Sequence, residues 1–190
     1  MKRSSSNRKI QVFINFRGEE LRCSFVSHLV EAFKRHGINF FIDKDEQKGK
    51  DLKHLFARIK QSRMALAIFS KRYAESSWCL DELARIKKRA DQRKLRVVPI
   101  FFKVKAESVR YQEAEFGRNF WRLAKTSSGE QIKRWKEALE SVSDKVGLTL
   151  GDKRYLTDQV IVSNLILRFF SCWFPFWAQC EVELKSKHQP

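Results

Sequence analysis

Five short apolar runs punctuate this chain, and helical repeats fill most of the intervals between them. The runs are residues 10–16 (IQVFINF), 38–42 (INFFI), 64–69 (MALAIF), 95–102 (LRVVPIFF) and 147–150 (GLTL). A short run that is apolar throughout, rather than alternating, reads as a strand covered on both faces. Between the first two runs Leu21, Phe25, Leu29 and Phe33 recur every four residues, which predicts one helix over residues 19–36. Glu19 and Glu20 suit its positive end, and Gly37 closes it. A weak helical pattern runs to about residue 60, another spans 78–89, two more lie near 114–125 and 130–142, and a last covers 155–170. Residues 103–113 read as loop. Strands that alternate with helices in this way build a parallel sheet. The expected fold is therefore α/β: a flavodoxin-like, doubly wound, five-stranded parallel sheet with helices on both faces. Pro99 donates no ladder hydrogen bond, so an irregularity or an edge is expected in the second half of the fourth strand.

In such sheets ligands bind beyond the C-terminal ends of the strands. Three segments follow strand ends here: Arg17-Gly18, residues 43–51 and residues 70–78. They are expected at one rim. The third segment ends in Ser76-Ser77-Trp78-Cys79-Leu80-Asp81-Glu82-Leu83. Serine is a favoured helix N-cap, so a helix should begin there. Trp78 and Glu82, four residues apart, then share a face, and an aromatic plane stands beside a carboxylate. The plainer reading of Trp78 is core packing, and of Glu82 a solvated helix residue with Arg85 three positions on. Asp81 has the better-spaced partner in Arg85, at four.

With 190 residues the chain suggests one domain and a tail: a basic N-terminus over 1–9, a domain over 10–170 and an aromatic-rich tail over 171–190. Lys and Arg number 39 against 22 Asp and Glu, a net charge of +17. That charge favours polyanions such as nucleotide phosphates, nucleic acid or anionic lipid surfaces, or else serves solubility. The cysteines at 23, 79, 172 and 180 show no C-x-x-C spacing, which argues against a zinc site, and a reducing compartment suits them. Residues 1–9 have no apolar segment and do not form a secretory signal. The chain has neither G-x-x-x-x-G-K-[ST] nor G-x-G-x-x-G, so the P-loop and dinucleotide-dehydrogenase fingerprints are absent.

Several motifs together resemble one family. Phe13-Ile14-Asn15-Phe16-Arg17-Gly18-Glu19-Glu20 is similar to the first box of plant-type Toll/interleukin-1 receptor (TIR) domains. Residues 37–43 resemble the strand that leads into that family's BB loop. The segment from Ser76 to Leu83 resembles the signature around its catalytic glutamate, and Val98–Phe102, Ser108-Val109-Arg110 and Phe116-Gly117 resemble later blocks. The resemblance covers roughly residues 9–170.

It implies the flavodoxin-like fold and cleavage of NAD+ or NADP+ at the nicotinamide–ribose bond after self-association, in plant immune and cell-death signalling. It implies no prosthetic group. By position the catalytic glutamate is Glu82, and Trp78 would stack on a nucleotide ring. Arg17 and Gly18 would approach a diphosphate. Asp43, Lys48 and Gly49 fall in the BB loop, where lysine replaces the family's usual arginine and loses its planar fork. Polar Lys50-Asp51-Leu52-Lys53 follows where an apolar or proline-containing stretch is common. After the fourth strand Lys103-Val104-Lys105-Ala106-Glu107 replaces an acidic, proline-containing one. Ser27-His28 matches the pair at a self-association face, whose partner surface includes the last helix. The expected partners are further copies of this chain, other TIR proteins or resistance receptors. No nucleotide-binding module or leucine-rich repeat follows, so a TIR-only protein or an isolated fragment is expected, in the cytoplasm, with the nucleus as an open alternative.

Phe169, Phe170, Trp173, Phe174, Phe176 and Trp177 cluster near the end, interrupted by Arg168 and Pro175. That run is shorter than the ~20 residues that span a bilayer. It could pack on the domain, seat in a membrane interface or mediate association. Two other functions compete: a non-catalytic adaptor acting by TIR–TIR contact, and nucleic-acid binding driven by the charge. The basic residues are spread rather than striped, which counts against the latter.

Overall fold

The computed structural model describes residues 11–42 and 52–151. Five strands form one parallel sheet: β1 (Gln11–Phe16), β2 (Asn39–Ile42), β3 (Met64–Phe69), β4 (Arg96–Phe102) and β5 (Leu148–Leu150). Their spatial order is β2-β1-β3-β4-β5. This is the flavodoxin-like order, whose switch point falls between β1 and β3. Every ladder is parallel, and Asn15 of β1 lies opposite Ala67 of β3.

The pleat divides the strand side chains between two cores. On one face Phe13, Ala65, Ala67, Phe69, Val97 and Phe101 join a cluster that α3 (Leu52–Gln61), α4 (Ser77–Asp91), α5 (Ala106–Arg110), α6 (Ala114–Ala124) and α7 (Gly129–Ser143) complete. On the other face Val12, Ile14, Leu66, Ile68, Val98 and Ile100 pack under α1 (Glu19–Cys23) and α2 (Phe25–Arg35). β3 is buried along its whole length, as its unbroken apolar run requires.

Four details depart from the expectations. The helix predicted over 19–36 is two helices. Ser24 breaks it with φ −117° and ψ −108°, and its carbonyl accepts the Ser27 hydroxyl at 2.6 Å and the Ser27 amide at 3.1 Å. Serine offers the backbone such local alternatives to the helical ladder. Gly37 does follow the second helix, at φ 64°. The segment 103–113 is not all loop: α5 occupies its middle and buries Val109. A five-residue helix is too short to display a period. Tyr73–Glu75 form a 3-10 turn that no sequence signal announced. Finally, β4 lies inside the sheet, and the edge expected in its second half falls in its first. β3 pairs with Arg96 through Phe101, whereas β5 joins only from Ile100. Pro99 therefore sits where β4 has a partner on one side, which suits a residue with no N–H. The approach to β5 is so close that a Cβ on Gly147 would lie 2.3 Å from the Pro99 carbonyl oxygen.

The predicted helix over 155–170, the final tail, the basic N-terminus and the segment 43–51 lie outside the described residues. Among those described, no helix is long and apolar enough to cross a membrane.

Candidate functional site

α4 begins where its sequence says it should. The Ser76 hydroxyl accepts the Cys79 amide at 3.2 Å, an N-cap that satisfies one of the first-turn donors. The cap follows the 3-10 turn, and together they aim the first turns of α4 at the C-terminal end of β1. Two contacts join them. The Cys79 thiol lies 3.3 Å from the Phe16 carbonyl. Asn15 Nδ2 donates to Glu82 Oε2 at 2.5 Å.

Glu82 is thus not a solvated helix residue; it is 3 % exposed. A buried carboxylate needs hydrogen-bond donors, and β1 supplies one. Asn15 is 0 % exposed and belongs to a small polar network enclosed by the core. Its Nδ2 also lies 3.4 Å from the Cys79 carbonyl, and its Oδ1 takes the Tyr73 hydroxyl. Burial pushes the Tyr73 phenol well above its ordinary value, the Cys79 and Glu82 charges push the same way, and the Asn15 hydrogen bond pulls back. Tyr73 therefore keeps its proton and acts as a donor.

The neighbouring acid has another task. Asp81 Oδ1 accepts the indole N–H of Trp135 on α7 at 2.8 Å. Arg85, the expected i,i+4 partner of Asp81, instead lays its guanidinium over the Phe56 ring at 4.2 Å.

Trp78, on the first turn of α4, is half-buried and packs against the core cluster that holds Phe13 and Cys79. Arg17 and Gly18 line a 280 Å³ cavity at the rim with Ser70, Lys71, Arg72 and Lys103. Gly18 has φ 100°, a backbone conformation that a side chain would strain. Lys71 pairs with Glu115 at 3.1 Å and Arg72 with Glu75 at 2.9 Å. The structure thus brings together two of the three predicted rim segments, Arg17-Gly18 and the start of 70–78. Trp78 and Glu82 do not line this cavity; Glu82 is held on the α4 side of β1. Asp43, Lys48 and Gly49 lie outside the described residues. On α2, Ser27 is half-buried and His28 exposed. Sequence reasoning alone makes His28 partly buried at the edge of the apolar stripe; the stripe residues Leu21, Phe25, Leu29 and Phe33 are all buried as predicted, and His28 falls outside it. Among the described residues no group of three or more His, Cys, Asp or Glu could hold a metal ion.

Asn15 and Tyr73 escaped the sequence reading. Asn15 carried a signal, being a polar residue late in a strand that is otherwise buried and apolar. Tyr73 carried none.

The family model described as TIR domain matches residues 9–161. The chain belongs to the TIR domain family. It is similar to disease resistance protein RBA1 of Arabidopsis thaliana, at 55 % identity over 148 residues, which is 78 % of this chain and 41 % of the relative. It is also similar to disease resistance-like protein CSA1 of Arabidopsis thaliana, at 51 % identity over 158 residues, 83 % of this chain and 13 % of the relative. The chain thus spans less than half the length of either. Among solved structures the TIR domains of the activated Roq1 resistosome, which recognises the pathogen effector XopQ, match with a TM-score of 0.75 and 33 % identity, covering 85 % of this chain and all of that one. The TIR heterodimer of RPS4 and RRS1 shares the fold, with a TM-score of 0.50 at 18 % identity.

Proposed function

We propose that this TIR domain is a nucleosidase that cleaves the nicotinamide–ribose bond of NAD+ or NADP+ without a prosthetic group, once copies have associated, and that its nucleotide products signal in plant immunity. The observation that carries this reading is the Glu82 carboxylate, buried beside the β1 end and held by an amide at 2.5 Å. The chemistry asks for one carboxylate. The bond between ribose C1′ and the pyridinium nitrogen breaks with its electron pair on the nitrogen, so nicotinamide leaves neutral and no general acid is required. Positive charge develops on the ribose, and a fixed carboxylate stabilises it. Water then adds to C1′ and releases a proton. Trp78 supplies a ring surface for the nucleotide, and Arg17 with Gly18 a place for the diphosphate.

Glu82 is 3 % exposed, so a sugar meets the carboxylate only after the rim shifts. Assembly can provide that shift. The likeness to TIR domains seen in a resistosome supports association of this chain with further copies or with other TIR proteins.

The test is nicotinamide release from NAD+ and NADP+ by concentrated protein, with Glu82→Ala beside it. The expected loss is about a thousandfold. Equal release by the two proteins under assembling conditions would sink the enzyme reading and leave an adaptor.

A further inference from the structure

The amide of Asn15 has two ends, and the structure gives each a different neighbour. Nδ2 faces the Glu82 carboxylate at 2.5 Å. Oδ1 faces the Tyr73 hydroxyl. That hydroxyl also lies 3.1 Å from the Cys79 carbonyl, another acceptor. Asn15 and Tyr73 are both 0 % exposed, so water does not compete for these bonds. A neutral phenol beside an amide oxygen donates to it. If the amide turned over, its NH2 group would meet the phenol and its oxygen would meet a carboxylate, two acceptors in contact inside the core. Such a loss is costly in a low-dielectric interior. The three groups come from three elements: β1, the 3-10 turn and α4. Each is anchored in the same core cluster by neighbours such as Phe13, Ala74 and Leu83.

We propose that Asn15 and Tyr73 are positioning residues for the Glu82 carboxylate, Tyr73 fixing which end of the Asn15 amide faces α4 and the Asn15 N–H holding one carboxylate oxygen so that Glu82 keeps a single orientation toward the ribose. This rests on Glu82 being the reacting carboxylate. The arrangement repeats the logic by which a catalytic side chain is oriented by a second group that is itself oriented by a third. An oriented carboxylate pays no reorganisation cost when ribose charge develops, so the benefit falls on kcat. Neither Asn15 nor Tyr73 has to touch the substrate.

The experiment follows nicotinamide release from NAD+ by the full chain in five forms: wild type, Glu82→Ala, Asn15→Leu, Tyr73→Phe and the Asn15→Leu/Tyr73→Phe double variant. Thermal unfolding of each verifies folding. Asn15→Leu should lower kcat about a hundredfold and Tyr73→Phe about tenfold, with KM within about threefold. The double variant should fall no further than Asn15→Leu alone, because Tyr73 acts through Asn15. If Asn15→Leu does not fold, Asn15→Ser, whose hydroxyl is one bond short of the Glu82 carboxylate, should lower kcat by more than Tyr73→Phe does. A folded Asn15 variant with wild-type kcat, a loss carried by KM, or single effects that multiply in the double variant would each overturn the inference. An active wild type beside a dead Glu82→Ala, with unaffected Asn15 and Tyr73 variants, sinks this inference alone. A wild type no faster than Glu82→Ala sinks the proposed function and this with it.

Discussion

Asp81 and Glu82 are neighbours in sequence with opposite duties. A helix turns ~100° per residue, so adjacent side chains leave α4 toward different elements. Asp81 meets α7 and takes the Trp135 indole N–H, and Glu82 meets β1 and takes the Asn15 amide. Trp135 is fully buried, so Asp81→Ala leaves an indole donor with no acceptor in the core. The expected cost is about 1–2 kcal/mol, read as a lower urea midpoint at constant m-value. An unchanged midpoint would mean that the indole finds another partner. Tyr73 makes a prediction about pH. Burial, Cys79 and Glu82 raise its phenol above the ordinary value near 10. The unfolded chain therefore ionises this tyrosine first. The stabilisation is complete below about pH 10 and is lost as pH rises toward the folded value, at about 1.4 kcal/mol per pH unit. Tyr73→Phe should flatten that alkaline limb by about one proton; equal slopes in the two proteins would refute the linkage.

At the scale of elements, local signals succeeded where a rule acts through near neighbours. Ser76 caps α4 and Gly37 ends α2, because capping and left-handed turns are decided within a few residues. The β3 run was legible end to end, since it is buried on both faces. The junction of α5 and α6, from Tyr111 to the first residue of α6, shows where such rules fall short. Gln112 and Ala114 both adopt positive φ, at 51° and 53°. The Gln112 side chain turns back onto the Val109 carbonyl at 3.0 Å, and a Cβ on Gly117 would lie 2.0 Å from the Gln112 carbonyl oxygen. The packing of α5 against α6 thus over-determines a conformation that alanine disfavours. Left-handed backbone costs a non-glycine residue about 1–2 kcal/mol, whereas glycine costs about 0.4–1 kcal/mol in unfolded-chain entropy. Ala114→Gly should therefore stabilise the domain by about 0.5–1 kcal/mol, measured as a higher thermal midpoint. A lower midpoint would show that helix propensity at the start of α6 outweighs the strain.

At the scale of the whole molecule, the net charge of +17 opposes contact between copies. Association must overcome that repulsion, so light scattering should show larger assemblies as moderate salt screens it. His28 is exposed on α2, on the face the TIR resemblance marks for self-association. His28→Ala should shift the scattering mass toward the monomer and lower nicotinamide release about tenfold, both recovering at higher protein concentration. Unchanged mass would remove His28 from the interface. The fold class, and the meeting of Arg17-Gly18 with the start of 70–78 at one rim, were determined by the sequence alone, because apolar runs, helical periods and caps are written in adjacent residues. The tertiary structure alone decided which side chains meet. Asn15 and Glu82 stand 67 positions apart, Asn15 and Tyr73 58, and Asp81 and Trp135 54. The physical reason is that a hydrogen-bond partner depends on which elements the sheet order β2-β1-β3-β4-β5 sets side by side, and no short stretch of chain encodes that order.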